Sequence, residues 1–211
     1  FSATDGNAIA IDDPDADEAP GELVASISVL HGTLTLANGA GLLASSGNGT
    51  ATLNMTGTLA ALEAALDGLV YRGNLNFNGS DTLSISVDDQ GNSGSGGAGT
   101  DSATVEITVD AVNNAPQLAL PGAQSINEDA TASIAGISVS DVDAGGGTLV
   151  VSLGVGAGRL EVDGTISGGV QALAIGNNNT NAVTLTGTLG ELNTTLPSLR
   201  FTSALNNRNN Q

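Results

Sequence analysis

Val105-Glu-Ile-Thr-Val-Asp110-Ala-Val-Asn113-Asn114-Ala-Pro116 is the stretch that decides how this chain is organised. Val105, Ile107 and Val109 alternate with polar residues, which predicts a strand with one buried and one wet face. The stretch then becomes rich in acid and amide side chains and ends at a proline, which cannot continue a strand ladder. A strand that runs into a short, stiff, oxygen-rich connector is what a junction between two domains in series requires.

The sequence pattern restarts after this connector, as an internal repeat. Thr186-Gly-Thr-Leu189 repeats Thr56-Gly-Thr-Leu59 at an offset of 130 residues. The apolar rows that follow match at the same offset: Leu62, Leu66, Leu69 and Tyr71 in the first copy, Leu192, Leu196, Leu199 and Phe201 in the second. The repeat predicts two domains, residues 1–116 and 117–211.

Most segments are short and alternate apolar with polar residues, which indicates an all-β fold. Residues 23–36, which turn at His31-Gly32, predict a β-hairpin. The exception is 59–67, where leucines at helical spacing follow a threonine N-cap and precede a glycine. Each copy is therefore expected to carry one short helix over the open end of a sandwich.

The two copies of the repeat lack different segments in this sequence. The second has a leading segment, 118–131, that the first has lost before Phe1, and it ends before the counterparts of residues 82–109. A sandwich without its last strands exposes core and ladder edges. We expect the second copy to be weakly stable alone, or to complete itself by strand exchange with another copy of the chain.

The amino-acid composition restricts the classes of partner that we expect this chain to bind. The formal net charge is −18, from 22 acidic residues against four basic ones, which argues against binding nucleic acid. Such a chain repels itself unless cations bind the acids, so divalent cations are an expected partner. No run is long and apolar enough for a membrane span, so direct membrane insertion is not expected. With no cysteine, a secreted protein needs another stabiliser, and calcium (Ca2+) is a common one outside cells.

Strand direction predicts where the acids gather. The strands 82–87 and 102–109 run in opposite directions, so Asp81 and Asp110 should share one end, with Asp88 and Asp89 at the other. A strand near 118–126 and its return over 132–139 should bring later acids back to the linker. The predicted junction site is Asp81, Asp110, Asn113, Asp141 and Asp143.

These residues supply the carboxylate and amide oxygens that calcium prefers. By the same reasoning Asp13, Asp15, Asp88 and Asp89 form a second, weaker site at the free end of the first copy. Glu128 and Asp129 would face a further junction downstream. The competing interpretation is that each acid simply caps a solvated turn, which is the rule for an isolated aspartate.

Four motifs in this order resemble the cadherin-like tandem repeats of large RTX-type bacterial surface adhesins. They are Asn76-Phe-Asn-Gly-Ser-Asp81, Val109-Asp-Ala-Val-Asn-Asn-Ala-Pro116, Asn127-Glu-Asp129 and Ser140-Asp-Val-Asp143. The second is similar to a cadherin linker with one acid fewer. The resemblance implies seven-stranded Greek-key β-sandwiches, calcium between neighbouring repeats, and a secreted or cell-surface protein of adhesion and biofilm formation.

Three functions follow as hypotheses. The first is a structural extender of an adhesin, stiffened by calcium. The second is a carbohydrate- or protein-binding module that uses its end loops, although aromatic anchors are scarce. The third is an enzyme, which we do not expect because His31 is the only histidine and there is no cysteine to build a nucleophilic site. The sequence places His31 in a surface turn.

Overall fold

A computed structural model describes residues 1–14, 16, 21–91 and 97–205. Over these residues the chain is mostly β, with several antiparallel sheets and two short helices. It divides into two compact units, Phe1–Val112 and Asn113–Gln211, whereas the sequence placed the boundary after Pro116. No helix among the described residues is long and apolar enough to cross a membrane.

The first unit contains seven strands and one helix among its described residues. The elements are β1 (Glu22–Ser28), β2 (Gly32–Thr35), β3 (Ala44–Ser46), β4 (Thr52–Thr58), α1 (Leu59–Leu66), β5 (Val70–Gly73), β6 (Gly79–Asp88) and β7 (Thr100–Val109). The sheet order is β3-β4-β1-β6-β7, and β2 pairs with β5 in a separate two-stranded sheet.

The hairpin predicted over 23–36 is wrong. β1 pairs with β4 and β6, whereas β2 pairs with β5 in the other sheet. The N–H groups of Leu30 and His31 donate to the Asp81 carboxylate, so the connection crosses between sheets. Alternation shows that a segment is a strand, but it does not say which strand lies beside it.

The helix predicted over 59–67 is confirmed as α1. The Thr58 hydroxyl accepts the Ala61 N–H at 3.3 Å, which caps the helix start. Leu62, Leu66 and Leu69 are fully buried, as the helical spacing of the leucines predicted. Gly68 follows the helix with φ +87°, a backbone region that favours glycine.

The elements of the second unit are β8 (Gln117–Ala119), β9 (Thr131–Ser133), β10 (Ser138–Ser140), β11 (Thr148–Gly154), β12 (Arg159–Glu161), β13 (Ile175–Gly176), β14 (Ala182–Thr188), α2 (Leu189–Thr195) and β15 (Arg200–Thr202). Short 3-10 turns lie at Ala172–Ala174 and Leu196–Ser198. Over its described residues the strands form three small sheets, β11-β14-β13, β12-β15-β9 and β10-β8.

The two units repeat the same strand register. Glu22 lies opposite Thr58 across β1 and β4, and Thr148 lies opposite Thr188 across β11 and β14. Like Thr58, Thr188 caps its helix, here in a reciprocal capping box with Glu191. The apolar faces of these elements form one core cluster in each unit.

The loop before β4 and the loop before β14 repeat the same hydrogen bonds. The Thr50 hydroxyl donates to the carbonyls of residues 47 and 52, and the Thr180 hydroxyl to those of residues 177 and 182. The side-chain oxygens of Asn48 and Asn178 accept the N–H groups of Leu36 and Val162. The internal repeat therefore extends from leucine spacing to individual side-chain bonds.

Candidate functional site

Two predicted calcium ligands lie beside the linker segment of the second unit. β10 pairs antiparallel with β8, with Ser140 opposite Gln117, so residues 141–143 lie next to residues 113–116. The Asn114 N–H donates to Asp143 Oδ2 at 2.6 Å, and the Asp143 N–H donates to Asp141 Oδ1 at 3.2 Å. The sequence-based placement of Asp141 and Asp143 against the linker is thus reproduced within this unit.

The return strand differs from the one predicted over 132–139. β9 leaves β8 and pairs with β15, and only β10 comes back to β8. The chain between β9 and β10 is held at Ile134, whose N–H donates to the Leu199 carbonyl. The acids reach the linker because β10 is short and ends directly before Asp141.

Hydrogen bonds keep the Asp143 carboxyl ionised. The Asn114 N–H, with further help from the Asn114 side-chain amide, lowers the pKa of Asp143 below its ordinary value. Asp143 is exposed and Asp141 is half-buried. Two neighbouring carboxylates of this kind attract a cation, since their mutual repulsion is relieved by it.

The side chains of this cluster offer the types of oxygen ligand that calcium prefers. Asp141 and Asp143 offer carboxylates, and Asn113 in the exposed linker offers an amide oxygen. Among the described residues, no three acidic or histidine side chains gather closely enough to hold a metal by themselves. A calcium ion here would therefore also need carbonyl or water oxygens. Asp110, predicted to contribute, is an exposed residue directly after β7 in the first unit.

Asp81 occupies a different environment from the one that the sequence suggested. Its side chain is buried, with 2% of the residue exposed. Its carboxylate accepts the N–H groups of Leu30, His31 and Thr82 at 2.8–3.0 Å, and the Tyr71 hydroxyl at 3.0 Å. These four donors use the lone pairs of both oxygens. Metal binding by Asp81 stays a prediction from the sequence.

The network around Asp81 joins three segments of the first unit. His31 Nδ1 lies 3.6 Å from Asp81 Oδ1, and the imidazole stacks on Phe77 with ring centroids 4.4 Å apart. Burial, and then the Asp81 carboxylate, raise the pKa of Tyr71. The histidine that the sequence placed in a surface turn is thus 47% exposed but held by two partners.

The unfolding free energy of the first unit should depend on the charge of Asp81. Burial opposes ionisation, but the hydrogen bonds from Leu30, His31, Thr82 and Tyr71 outweigh it and lower the pKa of Asp81 to about 2 from 3.8. A lowered pKa stabilises the fold above the unfolded value, and this stability is lost as pH falls through about 2. The loss should be on the order of 2 kcal/mol.

Urea unfolding between pH 5 and pH 2 measures this loss. Other carboxyls with lowered pKa values also make the fold less stable as the pH falls. The comparison is therefore with Asp81→Asn, in which the side chain at this position no longer titrates. We expect a shallower fall for the variant. Equal falls for both proteins would contradict the role of Asp81.

The other end of the first unit gathers some of the predicted acids. Asp13 and Asp89 line one cleft of about 400 Å³ together with Asp12 and Asp101. Asp15 lies outside the described residues. Asp89 Oδ1 accepts the N–H groups of residues 91 and 99, and these bonds lower the pKa of Asp89.

The remaining predicted acids lie in turns. Asp88 Oδ1 accepts the Gln90 N–H at 2.7 Å, which favours a turn-capping role for Asp88. Glu128 and Asp129 form an exposed turn, in which Asp129 has φ +57°. Metal binding by these residues stays a prediction.

Sequence reasoning missed the Asp81 network and the paired asparagines. Asn48 and Asn178 each tie a loop to the residue that directly follows an earlier strand, Leu36 after β2 and Val162 after β12. Their occurrence at the same 130-residue offset was a usable signal. No comparable signal marked Asp81, because its partners come from residues 30, 31 and 71.

Comparisons with known proteins add no relative. No protein-family description, curated protein or solved structure matches this chain.

Proposed function

We propose that the chain is a pair of tandem β-sandwich repeats, with Greek-key connections, that extends a bacterial surface adhesin. The repeat of register, helix cap and loop hydrogen bonds supports this reading more than any other observation. Serial copies of one module lengthen a chain, because each added copy adds another unit of the same size. Neighbouring repeats are then the principal partners, and the adhesion target lies elsewhere.

Calcium is the proposed stiffening ion. Asp141, Asp143 and Asn113 would hold it within the second unit. The support is the pair of adjacent carboxylates that the structure brings to the linker. The physical effect is mass action: an ion that binds only the folded state stabilises that state. It also neutralises part of the −18 charge.

Calcium should raise the unfolding temperature of the chain, and EDTA should reverse the rise. At a calcium concentration about 100 times the dissociation constant, the stabilisation is about 2.7 kcal/mol. Calorimetric titration and thermal unfolding measure both quantities. We expect Asp143→Asn to weaken calcium binding about tenfold or more.

Asp163→Asn is the matched control. Asp163 is also an exposed carboxylate of the second unit whose pKa is lowered by neighbouring hydrogen bonds, from Thr165, but it follows β12, which belongs to a different sheet from β8 and β10. The Asp163→Asn variant should bind calcium with the same affinity as the parent chain. Indifference of the parent to EDTA, or equal losses in the two variants, would refute the calcium proposal.

A further inference from the structure

The second unit has a polar concavity on the outer face of its sheet β12-β15-β9. Its volume is about 650 Å³, within the range of about 300–1,000 Å³ that small-molecule sites occupy. Glu161 lies opposite Arg200 across β12 and β15, and Arg200 lies opposite Ser133 across β15 and β9. All three residues are exposed and line the concavity, so a carboxylate, a guanidinium and a hydroxyl stand in a row across three strands.

The side chains of this row have no partner in the described part of the chain. Glu161 and Arg200 form neither an ion pair nor a side-chain hydrogen bond with any described residue, and the Ser133 hydroxyl is likewise unbonded there. Asp163, which also lines the concavity, already accepts the N–H and the hydroxyl of Thr165. A guanidinium supplies five N–H donors, and a carboxylate supplies about four acceptor positions. The row therefore offers unused donors and acceptors side by side.

The charges of this row are not needed to build the sheet. In the first unit β2 pairs with β5 in the register in which β12 pairs with β15. Thr35 and Val70 lie opposite each other there, where the second unit has Glu161 and Arg200. The same strand pair thus forms without either charge, which indicates that the charged side chains serve another purpose in the second unit.

The floor of the concavity is held by hydrogen bonds of its own. The Asp163 N–H donates to the Ser198 hydroxyl at 2.9 Å, and that hydroxyl donates to the Thr195 carbonyl at 2.7 Å. The Asn178 side chain accepts the Val162 N–H at 3.0 Å and donates to the Val162 carbonyl at 2.9 Å. A site that is ordered before it binds loses less entropy on binding.

We infer that this concavity binds a neutral oligosaccharide. Each sugar hydroxyl both donates and accepts, so neighbouring hydroxyls can accept N–H groups of Arg200 and donate to Glu161. The exposed Pro197 lines the same concavity and offers an apolar ring to the C–H groups of a sugar.

The charges of the site also favour a neutral ligand. Positive and negative side chains stand next to each other here, so a ligand with a net charge of either sign is repelled by one of them. An acidic ligand would in addition meet a chain with a net charge of −18. This binding depends neither on calcium nor on the role of the chain as an extender.

Nuclear magnetic resonance titration of the full chain with maltotriose, cellotriose and mannotriose tests the inference. We expect saturable shifts at residues 133, 161–164 and 197–200 with at least one of these sugars. Sodium chloride should change the affinity little, because the ligand carries no charge. Arg200→Val introduces the residue that the first unit has at this position and should weaken binding about tenfold or more, because charge-assisted hydrogen bonds are lost. Glu161→Gln, which keeps the size of the side chain, should weaken binding as well.

Arg159→Thr is the matched control. Arg159 is an exposed arginine of β12 without an ion pair among the described residues, but it does not line the concavity. The variant loses the same charge as Arg200→Val and carries the residue of the first unit, Thr33, so it should bind sugar as the parent chain does.

Four outcomes would overturn the inference. These are no binding of any of the three sugars, equal binding by Arg200→Val and Arg159→Thr, shifts centred on other residues, and tighter binding of trigalacturonate than of the neutral sugars. The last result, with a strong dependence on salt, would make the ligand acidic.

Discussion

Asp81→Ala is expected to destabilise the first unit by about 3 kcal/mol or more. The substitution leaves the N–H groups of Leu30 and His31 without their acceptor, and it removes the partner of the Tyr71 hydroxyl. Each buried polar group left unpaired costs about 1–3 kcal/mol. The same groups hold the connection from β1 to β2, so the crossing between sheets should loosen.

Urea unfolding at neutral pH measures the change, and Asp88→Ala is the control. Asp88 also accepts a backbone N–H, from Gln90, but it is only half-buried and stands at the other end of β6. We expect Asp88→Ala to cost less than about 1 kcal/mol. Tyr71→Phe should fall between the two, because it deletes one of the four hydrogen bonds to Asp81. Similar losses for both alanine variants would show that the Asp81 network contributes little.

Gly158→Ala is expected to cost the second unit about 3 kcal/mol. Gly158 has φ +94°, which strains any residue with a Cβ atom. A Cβ atom here would lie 2.4 Å from the Thr202 carbonyl oxygen and 2.7 Å from the Phe201 ring. Relief would require β15 to move, and β15 pairs with both β12 and β9.

Gly156→Ala in the same loop is the matched control. A Cβ atom at Gly156 meets no atom within 4 Å, so this variant should stay within about 0.5 kcal/mol of the parent. Thermal unfolding followed by far-ultraviolet circular dichroism compares the two. A Cβ atom at the corresponding Gly32 of the first unit would lie 2.3 Å from the Tyr71 ring, so Gly32→Ala should destabilise that unit as well. Equal stability of Gly158→Ala and Gly156→Ala would contradict the claim that the loop packs too closely on Phe201 to accept a Cβ atom at position 158.

Local sequence patterns predicted those helices and strands whose formation depends on residues close together in the chain. The helix α1 followed from leucine spacing and the Thr58 cap, because an N-cap acts within one turn. β6 and β7 followed from alternation, and their antiparallel register places Asp88 and Asp89 at the end opposite Asp110. Asp141 and Asp143 reached the linker as predicted because one short strand pair fixes their position.

The errors arose where a residue's partner lies far along the chain. The turn at His31-Gly32 looked like a hairpin because polar and glycine residues separated two alternating segments. Nothing in residues 23–36 shows that the backbone N–H groups of the turn bond to a carboxylate about 50 residues later. For the same reason Asp81 looked like the other aspartates, although it is the one buried aspartate among the described residues.

The sequence by itself determined the all-β class, the internal repeat at an offset of 130 residues, the helix caps and the strong negative charge. These properties depend on composition and on spacing within a few residues. Only the tertiary structure decided which strands are neighbours, which acid is buried, and which sheet edge stays open. Those outcomes depend on long-range packing, in which β6 covers β1 in one unit while β11 forms a sheet edge among the described residues of the other.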